Sequence, residues 1–129
     1  MNTALRLVIV LLGVASLVMG IIFVIQASSG TKSIADDIAP LAIKDVNASY
    51  DKVTTSQRQI MAAEEPNIQA GKALPSAMYN YLTVQRTGLG LARANIGLVG
   101  FIRMAGIINI ILGVGLVLVG VAAPAKAKA

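Results

Sequence analysis

Apolar and polar positions divide this chain into two long uninterrupted hydrophobic segments with a mixed stretch between them. The first segment, Leu7 to Ile25, holds 19 residues without a charge, and the second, Met104 to Ala123, holds 20 whose one strongly polar member is Asn109. A helix rises about 1.5 Å per residue, so each segment is long enough to cross a hydrocarbon layer roughly 30 Å thick. The pattern predicts an all-α membrane protein: two transmembrane helices joined by an extramembrane helical hairpin. The expected divisions are an N-terminal tail with the first span over 1–27, the hairpin over 28–95, a second span with a juxtamembrane extension over 96–123, and a basic disordered tail over 124–129.

Residues 28–95 show no strand alternation. Ile34, Ile38 and Leu41 fit one helical stripe, and Val46, Tyr50 and Val53 a shifted one. Ser33 followed by Asp36 has the spacing of a capping box, which would make the Asp36/Asp37 pair part of a helix N-terminus. Pro40 either kinks this helix or ends it, with a new helix then starting with Pro40 near its first position. The Glu64-Glu65-Pro66-Asn67 run reads as a breaker, and with Gly71 and Pro75 it sets the turn near 66–75. A second arm from Pro75 runs through Met78, Tyr79, Leu82, Gln85 and Arg86 towards the second span, so each arm is roughly continuous with one span.

Glycines recur at intervals of seven in both spans: Gly13 and Gly20 in the first, Gly106, Gly113 and Gly120 in the second. Seven residues is nearly two turns, so each set forms one stripe that drifts by about 20° per repeat. Lipid offers little hydrophobic gain for helix association, so small residues that admit close backbone approach become the main source of attraction. These stripes are expected to pack, against each other or against a partner protein. Ser16 adds a small residue four before Gly20, and the Asn109 amide needs a hydrogen-bond partner from Ser16, from a carbonyl near Gly20 or from another subunit.

Charge refines the picture. The net charge is +5, but residues 28–95 contain seven bases and six acids, and the remaining bases, Arg6, Arg103, Lys126 and Lys128, flank the apolar segments. That is a membrane-anchoring pattern and gives no nucleic-acid signature. Arg86, Arg93, Arg103, Lys126 and Lys128 are the expected membrane-interface cations, with Arg103 snorkelling to the headgroups or pairing with a carboxylate of a neighbouring protein. Arg6 ahead of the first span favours cytoplasmic termini and residues 28–95 outside, in a bacterial cytoplasmic membrane. Ala27-Ser28-Ser29 would suit signal cleavage, but the apolar run exceeds the roughly 7 to 15 residues of a signal core, so an uncleaved signal-anchor is expected.

The chain has no Cys and no His, which removes thiolate chemistry, disulfides, the commonest general base and the commonest transition-metal ligand. Adjacent carboxylates such as Asp36/Asp37 and Glu64/Glu65 point about 100° apart on a helix and do not converge on one ion. Gly88-Leu89-Gly90 follows no strand and lacks a third glycine, so it is no nucleotide loop. The expectation is a non-enzymatic integral membrane protein without cofactor, metal or small-molecule substrate. It would serve as an accessory or structural subunit of a larger membrane complex, or as a homo-oligomer. An extracytoplasmic sensor or lipid-interacting module signalling through a partner is one alternative, and a small channel-like or membrane-permeabilising oligomer is another.

Overall fold

The computed structural model describes residues 2–122. Among them it contains three α-helices, α1 (Thr3–Asp37), α2 (Val46–Gln69) and α3 (Ala77–Ala122), a 3-10 turn at Ile43–Asp45 ahead of α2, and no strand. Helices α1 and α3 are both long and apolar enough to cross a membrane. At about 1.5 Å per residue they measure about 52 and 69 Å, well beyond one hydrocarbon layer. The described residues form two compact units, one from residues 2–31 and 98–122, the other from 32–97.

In the first unit α1 and α3 lie antiparallel, and the layers between them are made of glycine. A Cβ added at Gly13 would stand 2.8 Å from the Gly113 carbonyl oxygen, and one at Gly20 would stand 2.6 Å from that of Gly106. The reverse approaches are equally tight: 2.7 Å from Gly113 to the Gly13 oxygen and 2.8 Å from Gly106 to the Gly20 oxygen. At one end Gly120 meets Val10, and at the other Gly30 meets Val99. No real Cβ tolerates such distances, so both glycine rows are consumed by this helix pair. Backbones this close allow Cα–H···O contacts as well as dispersion. A strict seven-residue spacing holds its stripe against the partner when the two helices wind left-handed about each other.

The large side chains point the other way. Leu7, Leu11, Leu12, Ile25, Ile111, Leu118 and Val121 are exposed, whereas Gly13, Gly20, Gly106, Gly113 and Gly120 are buried. This pair is therefore small inside and bulky outside.

In the second unit three sequence expectations are corrected. Ser33 does not start a helix: nothing between Gln26 and Asp37 breaks the α1 pattern, so α1 continues through Ser33, and Asp36 and Asp37 form its C-terminal end. Helix α1 then stops short of Pro40, because proline disfavours helical geometry in the residue before it and lacks an N–H of its own. The following helix begins at Val46, six residues after Pro40, and Val46 is fully buried. The third correction concerns Glu64–Asn67, which lies inside α2. Pro66 removes one backbone donor, but only Asn67, Ile68 and Gln69 follow it in the helix, so the loss is confined to the last turn.

The stop is instead at Gly71, whose φ of +67° is the left-handed conformation that glycine adopts without strain. Its N–H donates to Ile68 O at 3.0 Å and that of Lys72 donates to Asn67 O at 2.9 Å, the paired bonds of a Schellman cap.

The glycine layers predict a sharp positional contrast on α3. Gly113→Leu should cost the pair about 1–3 kcal/mol by overpacking, whereas Gly115→Leu, with nothing within 4 Å of its added Cβ, should be tolerated. Disulfide formation between cysteines introduced at Ser16 and Asn109 checks this in an otherwise cysteine-free chain. Cross-linking is expected to fall in the first variant and persist in the second.

Candidate functional site

Near the midpoint of the first unit a polar side-chain contact joins the two helices. The Ser16 hydroxyl donates to the Asn109 carbonyl oxygen at 3.0 Å and lies 3.4 Å from the Asn109 side-chain oxygen. Ser16 thus stands against Asn109 on the facing helix, between the Gly13–Gly113 and Gly20–Gly106 layers. Two arginines close the ends. Arg6 donates through Nε to Gly120 O at 3.1 Å and through Nη2 to Val121 O at 2.8 Å, satisfying carbonyls of the last turn of α3. Arg103 follows Ile102 just before the Gly106 layer, yet its Nη2 donates to the Thr31 hydroxyl at 3.2 Å. Its exposed side chain therefore reaches α1 at the residue that follows Gly30. Lys126 and Lys128 lie outside the described residues.

In the second unit Ile34, Val46, Leu82 and Ala92 are buried, and polar side chains add hydrogen bonds between α2 and α3. Within α2 the buried residues are Val46, Thr54 and Gln57. The Gln57 amide, 4% exposed, donates to the Thr83 hydroxyl at 3.0 Å and accepts from Arg86 Nη1 at 2.9 Å. Thr83 passes its own proton to the Tyr79 carbonyl at 2.8 Å. The amide is thus oriented by its neighbours, and it fixes a half-buried arginine.

One heptad further along α3, the Arg93 guanidinium stacks 5.4 Å from the Tyr50 ring centroid and stands 3.9 Å from the Asp51 carboxylate. Gly90 makes room for Tyr50, since a Cβ there would stand 3.3 Å from the ring. Arg86 and Arg93 therefore bracket one tyrosine of α2. The Arg86 guanidinium beside it, then the Thr54 hydroxyl, and more weakly the charge of Arg93, hold the Tyr50 hydroxyl below its ordinary pKa against the opposing effect of burial. The Thr54 oxygen is itself buried, and among the described residues it makes no hydrogen bond of good geometry.

The sequence reading placed Glu64 in a helix-breaking run and missed its contact. Its carboxylate accepts the Ser76 hydroxyl at 2.7 Å and the Ser76 N–H at 3.0 Å, while the Ser76 oxygen accepts the Tyr79 N–H at 3.1 Å. Ser76 caps α3, and Glu64 of α2 fills the place that a Glu three residues inside the helix takes in a capping box. The Ser-Ala-Met-Tyr sequence after Pro75 has no such acid, which left this partner legible only in three dimensions. Asp37 and Lys52, with Ile38, Leu41, Val53 and Leu89, line an open groove of about 510 Å³. The Tyr81 hydroxyl accepts from Gln85 at 2.7 Å, and Tyr81 is 56% exposed. Among the described residues no group of three or more acids stands close enough to hold a metal ion.

Comparison with protein-family models, curated proteins and solved structures finds no match for this chain. The functional reading therefore rests on the residues and their placement.

Acid should loosen the start of α3. The two Ser76 bonds hold the Glu64 carboxyl below its ordinary range. A lowered folded-state pKa contributes stability that is fully present above the unfolded value, about 4.3, and is lost as pH falls through the lowered one. Amide exchange at Ser76–Tyr79 is expected to accelerate over that acidic window, and Glu64→Gln should give fast exchange already at neutral pH.

Proposed function

We propose that this chain is a non-enzymatic integral membrane protein that serves as a structural or accessory subunit of a membrane assembly, built from partner proteins or from copies of itself. Helices α1 and α3 cross the bilayer as a pair, and residues 28–95 form a helical hairpin on the extracytoplasmic side with both termini in the cytoplasm. Support for insertion comes from the inverted side-chain arrangement. Burying glycine and exposing leucine forfeits the hydrophobic effect in water, whereas it costs nothing in a solvent as apolar as leucine.

The observation that carries the subunit reading lies outside those apolar segments. Along α3, Met78, Tyr81, Val84 and Leu91 are 54%, 56%, 71% and 63% exposed, and Leu74 just ahead of the helix is 90% exposed. Their spacing of three, three and seven places them along one side of the helix. Lipid covers exposed leucines within a span, but an apolar row on the water side marks a surface that another protein covers. The glycine stripes lend no support to partner binding, because the intramolecular pair uses them. Gly97, Gly100 and Gly115 have open space around them and take no part in that pair.

Native mass measurement of the full chain extracted in mild detergent tests the proposal. Stoichiometric partners or a defined homo-oligomer are expected. Val84→Glu combined with Leu91→Glu should release the chain as a monomer that keeps its helical circular dichroism. A wild-type chain that is monomeric throughout refutes the subunit reading, and ion flux through reconstituted oligomers would favour a channel.

A further inference from the structure

We propose that the two arginines bracketing Tyr50 form a binding site for a phosphate-bearing anion, with Arg86, Arg93 and the Tyr50 and Thr54 hydroxyls as its donors. A half-buried guanidinium ordinarily finds a carboxylate, because leaving the charge uncompensated away from water is costly. Among the described residues the one ion pair joins Arg93 to Asp51, and Arg86 is bonded instead to the neutral amide of Gln57. That amide is among the most buried side chains in the unit, and it is anchored in turn on Thr83. The fold thus orients a cation without neutralising it, and one bond to Gln57 leaves most of the five guanidinium donors of Arg86 free.

Arg93 supplies the second cation. It is half-exposed, positioned by the face of Tyr50 and set against Asp51 at 3.9 Å, a loose contact that an incoming dianion can displace. Two positive charges against one negative leave the cluster with a net charge of +1. Hydroxyl donors complete it. The Thr54 hydroxyl is buried and, among the described residues, makes no hydrogen bond of good geometry; it stands beside the Tyr50 hydroxyl, which also faces Arg86.

Guanidiniums with hydroxyl donors suit a tetrahedral oxyanion, whose oxygens accept several charge-assisted bonds at once, better than a single carboxylate. The phosphate has two possible sources, free phosphate or the headgroup of an acidic lipid. The second is suggested by α3 itself, which turns apolar at Ile96, three residues after Arg93.

Tyrosine fluorescence reads this site directly, because the chain contains no Trp and three tyrosines. Tyr79→Phe with Tyr81→Phe leaves Tyr50 as the sole emitter. The full-length protein is titrated with inorganic phosphate in nonionic detergent at constant ionic strength. In parallel it is placed in phosphatidylcholine nanodiscs containing increasing phosphatidic acid. A saturable change in emission is expected, with half-saturation raised about tenfold by Arg86→Gln or Arg93→Gln and unchanged by Arg58→Gln.

A response to inorganic phosphate supports the site and identifies a free oxyanion as sufficient. A response confined to phosphatidic acid supports it and identifies the lipid headgroup. Should Arg86→Gln unfold the unit, the exposed Arg93, which stands outside the Gln57 network, carries the comparison. Absence of a response to both probes, or a half-saturation that the Arg93 substitution leaves unmoved, overturns the proposal.

Discussion

Where Gly20 meets Gly106, and Gly13 meets Gly113, no side chain separates two polypeptide backbones, and the packing of the first unit follows from that contact. Dispersion falls steeply with distance, so helix pairing in an apolar solvent depends on how closely the backbones approach. Glycine at every seventh position provides that approach and keeps both stripes in register over several turns. It also dictates the inversion of the pair, since the volume vacated inside is matched by leucine, isoleucine and valine outside. The Ser16–Asn109 contact fits within this arrangement, because an amide between two glycine layers finds its hydrogen-bond partner on the facing helix.

Three of the arginines in this chain are used differently, and each use follows from its surroundings. Arg6 satisfies the terminal carbonyls of a neighbouring helix, which otherwise have no intrahelical donor. Arg103 places its guanidinium on the Thr31 hydroxyl of α1, consistent with a cation drawn towards the polar end of an apolar surface. Arg86 is oriented by a buried amide and, among the described residues, has no carboxylate partner. The same residue type therefore caps a helix, marks the end of an apolar layer and presents charge, according to whether its neighbours are carbonyls, hydroxyls or an amide.

The second unit works by a different physics from the first. Few large apolar side chains are buried in it, and α2 is joined to α3 through Gln57–Thr83, Arg86–Gln57 and Glu64–Ser76. Net hydrogen-bond contributions are modest, about 1 kcal/mol each, so such an interface is specific in register without being strong. The exposed row from Met78 to Leu91 on the same α3 is the complement of that economy. Apolar surface that could have thickened the core is left facing outward, and this supports a role in which the unit is completed by another protein surface.

Much of this was legible in the sequence, and the limits have physical causes. Two helices long and apolar enough to cross a membrane, and a helical stretch between them, follow from runs of hydropathy and from the absence of alternation, which are properties of consecutive residues. The turn near Gly71 was also legible, because only glycine takes a positive φ without strain. Local signals misled where two of them competed: Ser33 with Asp36 has capping spacing, but an unbroken helical pattern around it prevailed, and Pro66 is a breaker whose cost falls to one bond in a final turn.

The sequence by itself determined that the glycines form stripes. Only the tertiary structure decided that the stripes face each other, because a stripe defines a surface and not what lies against it. For the same reason the cap that Glu64 supplies to Ser76, the amide that Gln57 offers Arg86 and the tyrosine between two arginines were decided in three dimensions. Each joins residues 12 to 43 positions apart, and chain separation carries no information about contact until the helices have packed.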